Sequence, residues 1–211
     1  MPLYAAIVVA YLIGSIPAAL IAGHAIGKID IRTVGSKNAG ATNIYRVFGI
    51  KPYLAVLAFD VAKGYFAASF VASFAATEVM DGLQLSIVCG LVAVIGHVFS
   101  VFARFRGGKG VATAAGVMVA IVPGPLLVAV LVYLGVLGAT SYVSLGSIGA
   151  AVSLPVALLA GHFLGGSEYR METYAITFLL ALLILVTHRS NIDRLIKGKE
   201  TKTHFFKKPK T

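Results

Sequence analysis

Charge is what this chain has least of. Asp, Glu, Lys and Arg make up 12% of its 211 residues, against about a quarter in an ordinary soluble domain. Hydrophobic residues make up 58%, and the mean hydropathy is +0.90. That shortage excludes a conventional soluble fold and points to a membrane protein, whose apolar runs are long enough to span. A single cysteine, Cys89, sits within an apolar run, which excludes an intramolecular disulfide and leaves an inert core thiol. No basic stretch precedes the first apolar run, Leu3 to Gly27, and that run is too long for a signal peptide, so no removable targeting segment is expected. Repeats of solenoid period, linkers and low-complexity segments are absent, so residues 1–211 read as a single polytopic membrane domain, with 198–211 as a basic cytoplasmic tail. No Cys/His or carboxylate cluster suggests a metal, and no cofactor is expected.

The spans read as Leu3–Gly27, Tyr53–Ala75, Gln84–Phe102, Ser147–Leu164 and Thr173–Thr187. Between Val111 and Ala139, Pro123-Gly124-Pro125 should break any helix, because proline lacks an N–H and clashes with the preceding turn. The distribution of Lys and Arg, which concentrate on the cytoplasmic side, decides between one kinked span and a hairpin. With a hairpin and the N-terminus outside, the inside segments carry sixteen of the eighteen cations and the outside only Arg170. A kinked span would give nine inside against eight outside. The prediction is an all-α integral membrane protein of about seven transmembrane helices, N-terminus outside and C-terminus cytoplasmic. Its hairpin near 111–139 has arms of about 12 to 14 residues, roughly 20 Å, short of a hydrocarbon core of about 30 Å.

Three polar stretches interrupt the apolar chain: VGSKNAGATNIYRVFG at 34–49, ARFRGGKGVATAAG at 103–116 and THRSNIDRLIKGKE at 187–200. All three, with TSYVSLGS at 140–147, fall on the predicted cytoplasmic face. Glycine lets backbone N–H groups approach a ligand, and successive N–H groups form anion-binding nests. Gly107, Gly108 and Gly110 flank Lys109, and a helix is predicted to begin at Val111, adding positive potential. Arg46 and Lys109 supply charge; Ser36, Asn38, Asn43 and Ser144 supply neutral donors. The pattern describes a phosphate site at a membrane surface. GGKG is not a Walker A loop, since the required spacing is absent. Positive-inside bias alone accounts for Arg104, Arg106 and the Lys-rich tail, but not for the glycines and asparagines. Asp60 and Lys63, three apart on one predicted helix, share a face and can neutralise each other; Lys63 either assists a phosphate or buttresses the loops. His24 and His162 read as core or interfacial groups.

GSKNAGATNIYRVFG, GHVFSVFARFRGGKGVATAAG and HRSNIDRL resemble the three cytoplasmic motifs of the bacterial acyl-phosphate:glycerol-3-phosphate acyltransferases. YVSLGSI is similar to that family's serine loop, and Gly14-Ser15-Ile16-Pro17 and Asp60-x-x-Lys63-Gly64 also match. The similarity runs from the first helix to about Gly198. It implies transfer of an acyl chain from acyl phosphate to the 1-hydroxyl of glycerol 3-phosphate, giving lysophosphatidic acid and inorganic phosphate in phospholipid synthesis at the bacterial cytoplasmic membrane. By motif, Ser36, Arg46, His188 and Asn191 would bind glycerol 3-phosphate. Lys109, the glycines at 107–110 and Ser144 would hold the acyl phosphate. A soluble enzyme that makes acyl phosphate is the implied partner, and no nucleic acid is expected.

Two candidates remain for the general base: a substrate phosphate, whose second pKa is about 6, taken first, and His188, taken second. His188 and Asp193 spell H-x-x-x-x-D, the catalytic dyad of an unrelated acyltransferase superfamily. Positions five apart lie about 140° apart on a helix, so Asp193 reads as a solvated residue. Two other classes stand beside the enzyme. A phosphate or organic-anion transporter would place its site near the midplane on broken, repeated helices, whereas here the cations keep to one face. A lipid-binding scaffold would explain the tail alone.

Overall fold

The computed structural model describes residues 1–205, so residues 206–211 of the predicted basic tail lie outside it. The fold is all-helical. The first apolar run forms α1 (Leu3–Ser15) and α2 (Ala18–Gly27), broken at Ile16-Pro17. A short amphipathic helix, α3 (Ala41–Phe48), leads into α4 (Ile50–Phe66), which continues through a π turn to Val71. Next come α5 (Gly82–Val98), α6 (Val111–Ile121), α7 (Pro123–Thr140), α8 (Val143–Gly165), α9 (Met171–Thr187) and α10 (Arg189–Ile196). Among the described residues five helical segments are long and apolar enough to cross a membrane, or six if α9 and α10, bent by 60°, count as one. With α6 included, seven apolar segments follow one another in the predicted order.

The hairpin near 111–139 differs from expectation in its proportions. Only α6 is short, 11 residues or about 16 Å; α7 has 18. The break falls at Val122, and Pro123 and Pro125 lie in the first turn of α7, where a missing N–H removes no helical bond. The short arm is not left to lipid. Ala114, Val117 and Met118 of α6 join Val94, Leu154, Leu158, Ile176 and Leu180 in the largest buried cluster. Gly64 of α4 and Gly116 of α6 let the two backbones touch: a Cβ would lie 2.1 Å from the Thr113 carbonyl oxygen at Gly64, and 1.9 Å from that of Val61 at Gly116. Helix α7, by contrast, buries only Ala129 and rests on α8.

The serine stretch is not a loop. Only Ser141-Tyr142 connect α7 to α8, so Ser144 and Ser147 lie in the first turns of a helix that begins earlier than the predicted span. At the Ile16-Pro17 break, Lys63 Nζ donates to the Ile16 carbonyl at 2.9 Å and lies 2.7 Å from Asp60. A break inside a bundle frees carbonyls that need a partner, and Lys63 supplies it.

Candidate active site

Asn43, buried on α3, organises the first polar stretch. Its Oδ1 accepts from the Ser36 N–H at 2.8 Å, and its Nδ2 faces the carbonyls of Ile31, Val34 and Asn38. With both amide protons committed to backbone, Asn43 is a scaffold for the loop and not the substrate donor expected. Ser36 and Asn38, which it positions, line the mouth of a cavity.

The second stretch carries another correction. Gly107 and Gly108 form no anion nest, because their N–H groups donate to the Val98 and His97 carbonyls at 3.0 and 3.1 Å. Glycine is required there by space: a Cβ on Gly107 would sit 1.9 Å from the His97 carbonyl oxygen, and one on Gly108 2.2 Å from His97 Nε2. Gly110 has φ +87°, a left-handed conformation natural to glycine. This tightly folded turn delivers Lys109 and the N-terminus of α6 to the cavity.

The third stretch closes the ring. Lys109 Nζ contacts Asn191 Oδ1. His188, 3% exposed, sits at the α9–α10 bend with Nδ1 2.8 Å from the Ile184 carbonyl. That carbonyl can only accept, so Nδ1 carries the proton and Nε2 of the neutral ring is free to accept. Burial, reinforced by the Lys109 charge, pushes His188 down to about 4. Burial also lowers Lys109 to about 8, with Glu200 opposing the fall and Arg194 and Arg46 adding to it. Arg46 is lowered by burial as well, though a guanidinium stays charged. Its Nη2 donates to the Thr201 carbonyl and Thr203 Oγ1 at 3.1 and 3.0 Å, while its Nε is buried with no partner among the described residues.

Of the predicted residues, Ser36, Asn38, Asn43, Arg46, Lys109, Gly110, Ser144, His188 and Asn191 line one cavity of about 460 Å³. Lys63 does not line it and acts as the buttress described above. Asp193 pairs with Lys197 at 2.7 Å, both side chains 58% exposed. Asp193→Asn should therefore leave turnover within a few fold; general acid–base catalysis contributes about 10² to 10⁴, so a loss of that size in a steady-state assay would make Asp193 catalytic.

Glu200 is the residue that sequence reading missed. Ser144 Oγ and Asn191 Nδ2 donate to its Oε1 at 2.9 and 2.7 Å, and Arg194 Nε to its Oε2 at 2.7 Å. Burial alone would raise this carboxyl, but those hydrogen bonds outweigh it and hold it below its ordinary range. A lone acid in a Lys-rich tail carries no signal of burial. Arg194 and His97, which also line the cavity, lay inside recognised motifs without an assigned role. Away from this cluster the cavity runs between α4, α6, α7, α8 and α9, lined by Leu57, Met118, Leu126, Val130, Leu154 and Leu180.

A helical membrane bundle whose cationic mouth opens into an apolar chamber is the architecture of a membrane enzyme handling a phosphate and a lipid chain together. The sequence profile of the glycerol-3-phosphate acyltransferase family matches residues 4–198. The chain is 42% identical to the glycerol-3-phosphate acyltransferase of Chlorobaculum tepidum over 97% of both chains, and 44% identical to that of Endomicrobium trichonymphae over 96% of both. It is similar to the crystal structure of PlsY, an integral membrane glycerol 3-phosphate acyltransferase, in its glycerol 3-phosphate form (TM-score 0.83, 36% identity) and its lysophosphatidic acid form (TM-score 0.81, 35% identity), each over 96% of both chains. The chain belongs to the glycerol-3-phosphate acyltransferase family, and it is a membrane enzyme of that activity.

Proposed function

We propose that the acyl donor is an acyl phosphate and the acceptor the 1-hydroxyl of glycerol 3-phosphate, with lysophosphatidic acid and inorganic phosphate as products. The observation that carries this reading is the continuity of one cavity from Lys109, Arg46, His188 and Asn191 into the apolar chamber. The mouth suits phosphate groups, and the chamber suits an acyl chain. Lys109, the N-terminus of α6 and Ser144 hold the acyl phosphate; Ser36, Arg46, His188 and Asn191 hold glycerol 3-phosphate. Unpaired N–H groups at a helix N-terminus attract anionic oxygen, which makes the first turn of α6 the place for the developing oxyanion.

The hydroxyl oxygen attacks the carbonyl carbon, and the bond from that carbon to the phosphate oxygen breaks. Phosphate departs with the electron pair, and the hydroxyl proton passes to a phosphate oxygen. A substrate phosphate with a second pKa of about 6 suits neutral pH better as a base than His188 at about 4. The free Nε2 of His188 then accepts a hydrogen bond from the glycerol and orients it. Acyl phosphate is a mixed anhydride with a good leaving group, so alignment and charge neutralisation are the main tasks.

Purified protein in detergent, given acyl phosphate and glycerol 3-phosphate, should release lysophosphatidic acid and inorganic phosphate in equal amounts. Turnover with an acyl thioester and none with acyl phosphate would overturn the donor assignment.

The site faces the cytoplasm of a bacterial inner membrane, a reading supported by the sixteen cations on that side. Asp81 caps the N-terminus of α5 and His97 lies in its last turn, about 24 Å away along the axis. Cysteines replacing Ser36 and Lys109 should react with impermeant thiol reagents from inside only, and one replacing Asp81 from outside only. Reaction of positions 81 and 109 from the same side would overturn this topology.

A further inference from the structure

Two of the donors assigned to substrate, Ser144 and Asn191, already hold an anion. Ser144, Asn191 and Arg194 converge on the Glu200 carboxylate, and Asn191 in turn meets the Lys109 ammonium. Glu200 is only 9% exposed. The chain that follows does not trail into solvent as a basic tail should. Arg46 donates to the Thr201 carbonyl and Thr203 Oγ1, and the Thr203 N–H donates to the Ser141 carbonyl at 2.8 Å. Tyr45 donates to the His204 carbonyl at 2.8 Å, and the Phe205 ring lies 4.4 and 5.2 Å from those of Tyr45 and Tyr53. Residues 199–205 thus cross the mouth of the cavity, from the end of α10 to α3, α4 and the α7–α8 turn.

Charge supplies the reason. Arg46, Lys109 and Arg194 share one partly buried region, where like charges repel unless an anion is present. Carboxylate and phosphate oxygens accept from the same charge-assisted donors in the same geometry. A phosphate bound to those donors would stand against Glu200, and two anions in one seat are mutually excluded.

We propose that Glu200 is a positioning residue, an internal counter-anion that keeps the phosphate seat assembled in the free enzyme and is exchanged for a substrate phosphate, carrying the 199–205 strap with it. This rests on the reading of Lys109, Ser144 and Asn191 as phosphate ligands. The exchange explains why a site built for anions carries a buried acid at its centre. It also couples filling of the seat to opening of its cover, since Glu200 and the strap are contiguous.

Two measurements with inorganic phosphate test it. The first places a cysteine at Thr203, a strap residue only 4% exposed, in a Cys89→Ala background. Phosphate should accelerate its thiol labelling roughly tenfold, as expected when a buried segment opens, and half-saturate at its competitive inhibition constant for acyl transfer. The second is Glu200→Gln, which keeps the shape and removes the charge. Inorganic phosphate should then inhibit more tightly, by roughly tenfold, because the competing anion is gone while the cations remain. A loss of structure alone would weaken phosphate inhibition, so the sign separates the roles. If Glu200→Gln does not fold, the labelling of the Thr203 cysteine decides. Competitive inhibition with unchanged labelling would overturn the exchange while leaving the phosphate site intact. Weaker inhibition in a folded, active Glu200→Gln protein would overturn it likewise, making Glu200 a fixed wall of the seat. Absence of any inhibition by phosphate would overturn the site reading, and the exchange with it.

Discussion

Lys109→Ala and Arg46→Ala should each lower kcat/KM by two decades or more with the fold retained, whereas Arg104→Ala should lose less than about tenfold. Removing one partner of a desolvated ion pair costs about 3 to 5 kcal/mol, and each 1.4 kcal/mol is a decade. Lys109 and Arg46 line the cavity, and Arg104 does not. Arg104 is an exposed cation in a left-handed turn, of the kind that positive-inside bias alone explains. Equal losses at all three positions, measured under steady state with both substrates varied, would leave only diffuse surface charge. The lowered pKa adds a pH signature. Phosphate binds the ammonium form of Lys109, so its affinity is full below about 8 and falls as pH rises beyond it. A bound dianion raises that pKa in the complex, so the loss should show in KM more than in kcat. Lys109→Arg keeps its charge to higher pH and should move that alkaline limb upward.

His188→Gln should retain turnover and raise KM for glycerol 3-phosphate, because the amide can still hydrogen-bond the glycerol but cannot act as a base. In the free enzyme the imidazole is neutral, its pKa lowered to about 4 by burial and by Lys109. It therefore contributes an oriented acceptor at Nε2 and not a resident positive charge. The acid limb of the kcat profile should stay near the second ionisation of phosphate, about 6, in the variant as in the wild type. A collapse of kcat by roughly three decades with KM unchanged would assign the base to His188.

Much of this was legible from residue types and their order. The apolar runs, the break at Pro123, the ion pair of Asp60 with Lys63 and the helix start at Val111 follow from hydropathy, proline chemistry and helix period. The site was legible where side chains of rare type recur in polar stretches: Ser36, Arg46, Lys109, Ser144, His188 and Asn191 do meet at one cavity. The readings that failed share a cause. Gly107 and Gly108 resemble an anion nest in sequence, but whether an N–H is free depends on the carbonyls that reach it, here those of Val98 and His97. Asn43 looks like a substrate donor until its amide is found bridging three backbone carbonyls.

The sequence by itself determined the medium, the helical class and the segments that carry the chemistry, because hydrophobicity and backbone restriction act locally along the chain. Tertiary structure alone decided which donors remain free, that the short helix α6 is sheltered inside the bundle, and that Lys63 braces a helix break. It also placed Glu200 among the cations. Those outcomes depend on contacts between residues up to 159 positions apart, as between Tyr45 and His204. Burial at such contacts sets the strength of every charge and hydrogen bond in the site.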